Sequence, residues 1–227
     1  MEYITPIFFG YLLGTLNPAA LLGKIKRIDL RRSGTGNLGA TNTALIMGRK
    51  LGFAVMFFDI LKGAIAVVVS KLIFAETAAI SGLLAGASAV LGHMFPFYMK
   101  FKGGKGLAAY GGMILAYDPV IFLILFSVGL VFMLIFNYCV ALTVSAATLF
   151  PVAVALKNLG SSELVPATLI AVLISTVVIF RHRSNIVRSF KRNEPTTRFF
   201  FKKLFGKATS TLSNESYNEN DRSDKAA

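Results

Sequence analysis

Long apolar stretches alternate with short polar segments along the chain. The apolar stretches lie near residues 3–22, 52–74, 77–94, 106–117, 119–136, 138–156 and 163–180, and the fourth is short and rich in glycine. A helix needs roughly 20 apolar residues to cross a bilayer. The pattern therefore predicts an all-α polytopic membrane protein whose seven transmembrane helices form one domain over residues 1–207. Gly14, Asn17 and Pro18 interrupt the first stretch, which predicts a kink or re-entrant bend there.

Composition supports a membrane protein and limits its chemistry. Of the 227 residues, 55% are hydrophobic and only 15% are charged, whereas a soluble chain has about 25% charged residues. A single cysteine, Cys139, excludes an internal disulfide framework, and the two histidines leave little for a metal centre. We therefore expect neither a metal nor an organic cofactor. Residues 208–227 are polar and are predicted to form a disordered cytoplasmic tail.

The basic residues are concentrated in alternate loops. Of the 24 Lys and Arg residues, seven lie between Lys24 and Lys50, three lie at 100–105, and eleven follow from Arg181 onward. The positive-inside rule assigns these loops to the cytoplasm, so the N-terminus is expected outside and the C-terminus inside. Because topology accounts for the net charge of +13, we do not expect nucleic acid as a partner. After the last stretch, residues 198–205 are basic and aromatic, as in a helix that lies on anionic headgroups.

The first polar segment, residues 31–42, carries glycines at positions 34, 36 and 39. They match the spacing of a dinucleotide-binding fingerprint, but that motif requires a strand and a βαβ unit, and here apolar stretches lie on either side. Two interpretations stay open at this point. The small residues either expose backbone N–H groups that hold an anion, or they form an ordinary flexible loop.

The second polar segment surrounds Lys105, with Gly103, Gly104 and Gly106 beside it and Lys102 close by. It is not a Walker A loop, because Gly106 stands where Ser or Thr follows the lysine in that motif. A phosphate pocket is one interpretation, with backbone donors and ammonium groups on the phosphate oxygens. The alternative is an interfacial loop whose lysines only set the topology.

The third polar segment follows the last apolar stretch. His182 and Asn185 share a face if that helix continues past Phe180; the alternative is that basic residues simply end the span. Within the second stretch, Asp59 and Lys62 form an i, i+3 pair. Unpaired charges at this depth cost roughly 2.5–3.5 kcal/mol each, so we expect this pair to face the bundle.

In order along the chain, these segments resemble one family. The matching motifs are Gly-Thr-Gly-Asn-Leu-Gly-Ala-Thr-Asn (34–42), Asp59 with Lys62-Gly63, Gly-His-Met-Phe-Pro (92–96), Phe-Lys-Gly-Gly-Lys-Gly (101–106), Arg-His-x-x-Asn-Ile (181–186) and Glu194. Over about residues 8–195 the chain resembles the bacterial acyl-phosphate:glycerol-3-phosphate acyltransferases, which are integral membrane enzymes with seven transmembrane helices. The resemblance implies transfer of a fatty acyl group from acyl phosphate to the 1-hydroxyl of glycerol 3-phosphate, giving lysophosphatidic acid and phosphate. It also implies a bacterial cell membrane location, an active site facing the cytoplasm, and membrane lipids as partners.

The resemblance also implies roles for individual residues. His182 and Asn185 would orient the reacting groups with support from Glu194, while a substrate phosphate oxygen serves as the base. Catalysis would then depend on positioning and on charge stabilisation. The residues assigned to catalysis are Thr35, His182, Asn185 and Glu194. The residues assigned to phosphate binding are Gly36, Asn37, Gly39, Thr41, Asn42, Arg49, His93, Lys102, Gly103, Gly104, Lys105, Gly106 and Arg188.

The chain departs from the family pattern at several positions. Leu45 stands where the family carries an arginine, and a leucine cannot replace a bidentate phosphate contact. If the stretch is helical, Arg49 shares that face and substitutes in part. Because the departures fall on phosphate-contacting positions, the alternative function is a non-catalytic or weakened paralogue that binds lipid or glycerol phosphate. The sequence predicts no oligomeric state.

Overall fold

The computed structural model describes residues 1–205, which form eleven α-helices, two single-turn 3-10 helices and no strand. The predicted tail at 208–227 lies outside the described residues. The α-helices are α1 (Ile4–Thr15), α2 (Pro18–Lys26), α3 (Ala40–Met47), α4 (Arg49–Ile73), α5 (Ala78–Met94), α6 (Leu107–Tyr117), α7 (Pro119–Phe136), α8 (Cys139–Lys157), α9 (Leu164–Arg181), α10 (Arg183–Phe190) and α11 (Thr197–Phe205).

Six helical segments of the described chain are long and apolar enough to cross a membrane. They are Ile4–Lys26, Arg49–Ile73, Ala75–Met99, Pro119–Phe136, Cys139–Lys157 and Leu164–Arg181. The prediction of an all-helical membrane protein is thus confirmed for residues 1–205. The fourth predicted span forms α6, which has only 11 residues, or about 16 Å at 1.5 Å per residue. It is shorter than the hydrocarbon core of a bilayer, which is about 30 Å thick.

The first span is broken where the sequence predicts an interruption. Helix α1 ends at Thr15, and α2 begins at Pro18. The side-chain oxygen of Asn17 accepts a hydrogen bond from the backbone N–H of Ala20 at 2.8 Å, which caps α2. Proline is well suited to the first position of a helix because its fixed φ is already helical and it has no N–H to satisfy.

Glycines allow the spans to approach one another closely. A Cβ at Gly14 of α1 would overlap the carbonyl of Ala89 on α5, and a Cβ at Gly112 of α6 would overlap the carbonyl of Ile60 on α4. Backbone contact through small residues is a common way for membrane helices to pack, since lipid provides no hydrophobic force between them.

Polar side chains from α4 and from the end of α8 hold the C-terminal end of α6. At its C-terminal end, the ammonium of Lys71 donates hydrogen bonds to the carbonyls of Ala116 and Tyr117, both at 2.9 Å. The side chain of Asn158, at the end of α8, donates to the Tyr117 hydroxyl at 3.1 Å. At the N-terminal end of α6, Gly106 lies beside Met94 of α5, and the preceding Lys105 contacts Asn185 of α10. We call this second end, formed by residues 26–49, 95–106, 137–139 and 181–197, the polar end.

Candidate active site at the polar end

The glycine loop, residues 101–106, folds back on the end of α5. The N–H of Gly103 donates to the carbonyl of Met94 at 2.9 Å, and the N–H of Gly104 donates to the carbonyl of His93 at 3.1 Å. A Cβ at Gly104 would overlap the His93 ring and would lie 2.6 Å from the carbonyl oxygen of Leu38. These glycines therefore serve close packing. Both N–H groups have acceptors within the protein, so a role of these two glycines in phosphate binding stays a prediction that their N–H groups do not support.

Two arginines that the sequence assignment omitted brace this loop. The guanidinium of Arg181 donates to the carbonyl of Gly104 at 2.9 Å and lies 5.3 Å from the centre of the Phe95 ring. The guanidinium of Arg31 donates to the carbonyl of Lys102 at 2.6 Å. The sequence offered a weak indication of a role for Arg181, because this residue directly precedes His182. It offered no indication that separates Arg31 from the other basic residues of its loop.

The loop ends at a helix start that has no side-chain cap. Gly106, at φ +86°, precedes α6, and no side chain accepts a hydrogen bond from the first turn. The first N–H groups of a helix have no acceptor within the helix and attract anions. Lys105 directly precedes Gly106 in the chain, so a basic residue adjoins the helix start and its backbone donors.

A chain of hydrogen bonds joins the second polar segment to the third. The Lys105 ammonium donates to Oδ1 of Asn185, and Nδ2 of Asn185 donates to one carboxylate oxygen of Glu194. The other carboxylate oxygen accepts from Nε of Arg188 at 2.8 Å. Burial, together with the positive charges of Arg188 and Arg181 and against the opposing charge of Glu194, lowers the pKa of Lys105 to about 8.

His182 is held as a neutral imidazole at the junction of two helices. The last span ends at Arg181 and α10 begins at Arg183, so the predicted single helix past Phe180 is interrupted at His182. Its Nδ1 lies 2.9 Å from the carbonyl of Val178. Nδ1 must therefore carry the proton, which leaves Nε2 as an acceptor. Burial, and then the charges of Lys105 and Arg181, lower the His182 pKa to about 4.

Asn42 organises the first polar segment from within. Its Nδ2 donates to the carbonyls of Leu30 at 2.8 Å and Ser33 at 3.0 Å, and its Oδ1 accepts from the N–H of Thr35 at 2.7 Å. The side chain is fully buried.

The other candidates of this segment surround the start of α3. The N–H of Gly36 donates to the carbonyl of Ser33 at 3.1 Å, with Gly36 at φ +70°. Gly39 precedes α3 in extended conformation, and Thr41 is exposed on its first turn. Asn37 is half-buried beside Gly39, where a Cβ would lie 2.9 Å from its Nδ2.

The structure bears on whether Arg49 can substitute for the arginine that the family carries at position 45. Helix α3 ends at Met47, and α4 begins at Arg49 after Gly48, which has a φ of +94°. This left-handed φ breaks the helix, so Leu45 and Arg49 do not share the face of one continuous helix. The assumption of a single helix through this stretch was wrong.

Buried charges lie beneath the glycine loop. Nζ of Lys62 lies 2.7 Å from Oδ1 of Asp59 and 2.8 Å from Nδ1 of His93, and it donates to the carbonyl of Leu16 at 2.7 Å. Asp59 and Lys62 are 2% and 5% exposed, which confirms that the pair faces the bundle. His93 belongs to this cluster and lies under the glycine loop. The sequence had assigned the same side chain to phosphate binding.

No metal centre is formed within residues 1–205, where no three His, Cys, Asp or Glu side chains are grouped closely enough to hold an ion. The loop, the helix start, the Lys105 chain and His182 thus offer cations, backbone donors and one neutral acceptor. This is chemistry suited to phosphate-bearing substrates.

Comparisons with known proteins agree with this chemistry. The model of the family described as glycerol-3-phosphate acyltransferase matches residues 4–192. The glycerol-3-phosphate acyltransferase of Geobacillus kaustophilus (strain HTA426) is 39% identical over 194 residues, which are 85% of this chain and 95% of the relative. That of Bacillus subtilis (strain 168) is 37% identical over 194 residues, which are 85% of this chain and 96% of the relative.

Solved structures show the same fold. The crystal structure of PlsY (YgiH), an integral membrane glycerol 3-phosphate acyltransferase, in its glycerol 3-phosphate form has a TM-score of 0.74 and 34% identity, and the match covers 86% of this chain and 96% of that one. Its lysophosphatidic acid form has a TM-score of 0.70 and 31% identity, covering 88% and 99%. This chain therefore belongs to the glycerol-3-phosphate acyltransferase family of integral membrane enzymes.

Proposed function

We propose that this acyltransferase takes its acyl group from acyl phosphate and transfers it to the 1-hydroxyl of glycerol 3-phosphate. The hydroxyl oxygen forms a bond to the acyl carbonyl carbon, and the bond from that carbon to the phosphate oxygen breaks. Phosphate leaves with the electron pair, and the hydroxyl proton passes to a phosphate oxygen. The products are lysophosphatidic acid and inorganic phosphate. Membrane lipids surround the site and receive the product.

The observation that carries this proposal is the hydrogen bond between Lys105 and Asn185, with the uncapped start of α6 following Lys105 in the chain. We assign the phosphate of glycerol 3-phosphate to this place. The ammonium supplies a point charge, and the first N–H groups of α6 supply directed donors. Glu194 and Arg188 hold Asn185 in position from behind. Gly103 and Gly104 allow the loop to pack closely against α5, which places Lys105 at the edge of the loop.

His182 accepts a hydrogen bond from the substrate as a neutral imidazole and does not become positively charged. With Nδ1–H bound to the carbonyl of Val178, Nε2 is free to accept a hydrogen bond from the attacking hydroxyl. Its pKa of about 4 makes it a weak base, so we assign it orientation of the hydroxyl and leave proton removal to a phosphate oxygen. Thr35, Asn37 and Thr41 are assigned to the acyl-phosphate side, and Asn42 is a positioning residue for that segment.

We place the polar end at the cytoplasmic surface of the bacterial cell membrane and treat α6 as a seventh crossing. The support is that Gly106 and Tyr117 lie at opposite ends of the bundle, beside Met94 and Asn158 respectively. With seven crossings, the basic segments gather on one face and the positive-inside rule turns that face to the cytoplasm. The N-terminus is then outside.

The acyl donor is tested with the purified, lipid-reconstituted protein and labelled glycerol 3-phosphate. Palmitoyl phosphate and palmitoyl-coenzyme A are supplied separately at equal concentration. We expect lysophosphatidic acid, with equimolar inorganic phosphate, from palmitoyl phosphate only. Product formed equally well from the thioester would overturn the assignment of the donor and leave the acceptor assignment standing.

A further inference from the structure

Helix α11 lies beyond the residues 4–192 that the family model matches, yet it is fixed to the membrane-spanning body. The N–H of Thr197 donates to the carbonyl of Asn137 at 2.8 Å, and Thr197 is 5% exposed. Asn137 forms the left-handed turn between α7 and α8, at φ +60°. Both of those helices are candidate spans. The start of α11 is therefore held where two spans leave the hydrocarbon region, at the surface of the bilayer.

The helix is amphipathic and carries charge of one sign. Its nine residues include three bases and no acid. At 100° per residue, Thr197, Phe200 and Phe201 share one side, whereas Arg198 and Lys202 lie on another. The Phe201 side chain is 55% exposed. A helix with aromatic residues on one face and bases on the other is suited to the interface of an anionic membrane.

The basic face also carries an aromatic ring. The Lys203 ammonium lies 5.7 Å from the centre of the Phe199 ring. Long basic side chains reach the headgroup level while their aliphatic stems and neighbouring rings stay in the apolar layer. This pairing fits a helix half-sunk in headgroups.

We propose that α11 lies flat in the membrane interface at the polar end, with Phe201 in the acyl boundary and Arg198, Lys202 and Lys203 on anionic phospholipid headgroups. The anchored start at Thr197 sets its depth, and the basic side chains set its lipid preference. The occupant of this surface is thus the bilayer itself. The inference depends on the position of α11 relative to the spans and does not require the proposed acyl donor.

The chain contains no tryptophan, so Phe201→Trp introduces one fluorophore at the tip of this surface. The full-length variant is reconstituted into vesicles of phosphatidylcholine alone or with phosphatidylglycerol, with and without lipids brominated near the headgroup. We expect blue-shifted emission and strong quenching by the brominated lipid when phosphatidylglycerol is present. Phe126→Trp, on an exposed position of α7, provides the reference for a lipid-facing side chain.

Emission that resembles free tryptophan and escapes quenching in the anionic vesicles would overturn the proposal. The lipid preference is tested by adding Lys202→Gln and Lys203→Gln to the same variant. Loss of the two lysines is expected to lower the ratio of membrane-inserted α11 to α11 lifted from the membrane by about thirtyfold. The matched pair Lys191→Gln and Arg192→Gln removes equal charge from exposed positions just before α11, and we expect no change. An equal loss from both pairs would contradict binding through α11.

Discussion

The ammonium of Lys105 donates its hydrogen bond to Oδ1 of Asn185, a residue 80 positions further along the chain. One end of this contact stands before α6, and the other lies in α10, after the last span. The contact closes the polar end around the uncapped start of α6. It also joins two segments that four apolar helices separate along the chain, and these are the two segments to which we assign one phosphate site.

The two residues are expected to act as a unit on glycerol 3-phosphate. Lys105→Ala and Asn185→Ala each remove part of a charge-assisted hydrogen-bond system worth about 1.5–3 kcal/mol, so each should raise the KM for glycerol 3-phosphate by roughly tenfold to a hundredfold. The double variant should be little worse than the single variants, because contacting residues couple. The measurement is a double-mutant cycle on KM, and strictly additive effects would contradict the contact.

The pKa of Lys105 predicts a pH limit on the alkaline side. Lys105 holds a phosphate only when protonated, and its pKa is lowered to about 8. The value of kcat/KM for glycerol 3-phosphate should therefore be maximal below that pH and fall about tenfold by one pH unit above it, since this ratio reports the free enzyme. A profile that stays flat until Lys would ordinarily titrate, near pH 10, would contradict the assignment. Lys100→Ala, at an exposed position directly before the glycine loop, should leave the profile unchanged.

Alanine substitutions at two glycines test whether the glycine loop needs its close packing against α5. A Cβ at Gly104 would overlap His93 and press on Leu38, whereas a Cβ at Gly111 of α6 meets only Phe122, at 3.8 Å. Gly104→Ala should lift the loop and reduce kcat/KM by at least about tenfold, in line with displaced catalytic groups. Gly111→Ala should be neutral or slightly stabilising. Equal activity of the two variants would show that the loop does not need this close approach.

The buried pair beneath the loop should matter for stability. Asp59→Asn leaves the Lys62 ammonium without its carboxylate in an almost fully buried position. Breaking such a pair costs about 3–5 kcal/mol, which should lower the unfolding temperature in detergent. The double variant Asp59→Asn with Lys62→Met should recover much of that loss. The control is Asp29→Asn, because the Asp29–Arg32 pair is exposed and should contribute under about 1 kcal/mol. Equal losses from the buried and exposed sites would contradict this account.

The native cysteine tests the proposed orientation. Cys139 is exposed as the first residue of α8, next to the turn that follows α7, and it is the chain's single cysteine. A membrane-impermeant maleimide should label it in inverted vesicles and leave it unlabelled in intact spheroplasts. Glu163→Cys in a Cys139→Ser background should show the opposite pattern, because Glu163 precedes α9 at the other end. Labelling of both positions from one side would contradict seven crossings.

The apolar stretches alone predicted the all-helical membrane fold of the described residues, because a bilayer leaves few solutions for an apolar stretch. The break before Pro18 and the inward-facing Asp59 and Lys62 were both predictable from local chemistry. The short helix α6 was harder to interpret, since its 11 residues are fewer than a helix usually needs to cross a bilayer. The break at Gly48 required a backbone conformation that the residue type permits but does not dictate.

The site was predictable in its residue types and less so in its contacts. Glycines, lysines and His182 mark phosphate chemistry in the sequence, yet which glycine N–H groups remain open depends on how the loop folds onto α5. The bracing by Arg181 depends on tertiary distance, which sequence spacing does not contain. Asn42 shows the same limit, because a polar residue in a motif can serve the loop itself.

The most direct test of the phosphate site is acyl transfer from palmitoyl phosphate to labelled glycerol 3-phosphate by the reconstituted protein, measured for the wild type, Lys105→Ala and Lys100→Ala. The account predicts lysophosphatidic acid from the wild type and from Lys100→Ala, with product from Lys105→Ala reduced by at least about tenfold at subsaturating glycerol 3-phosphate. Equal rates from all three proteins would contradict a phosphate site at Lys105, and no product from the wild type would contradict the proposed reaction.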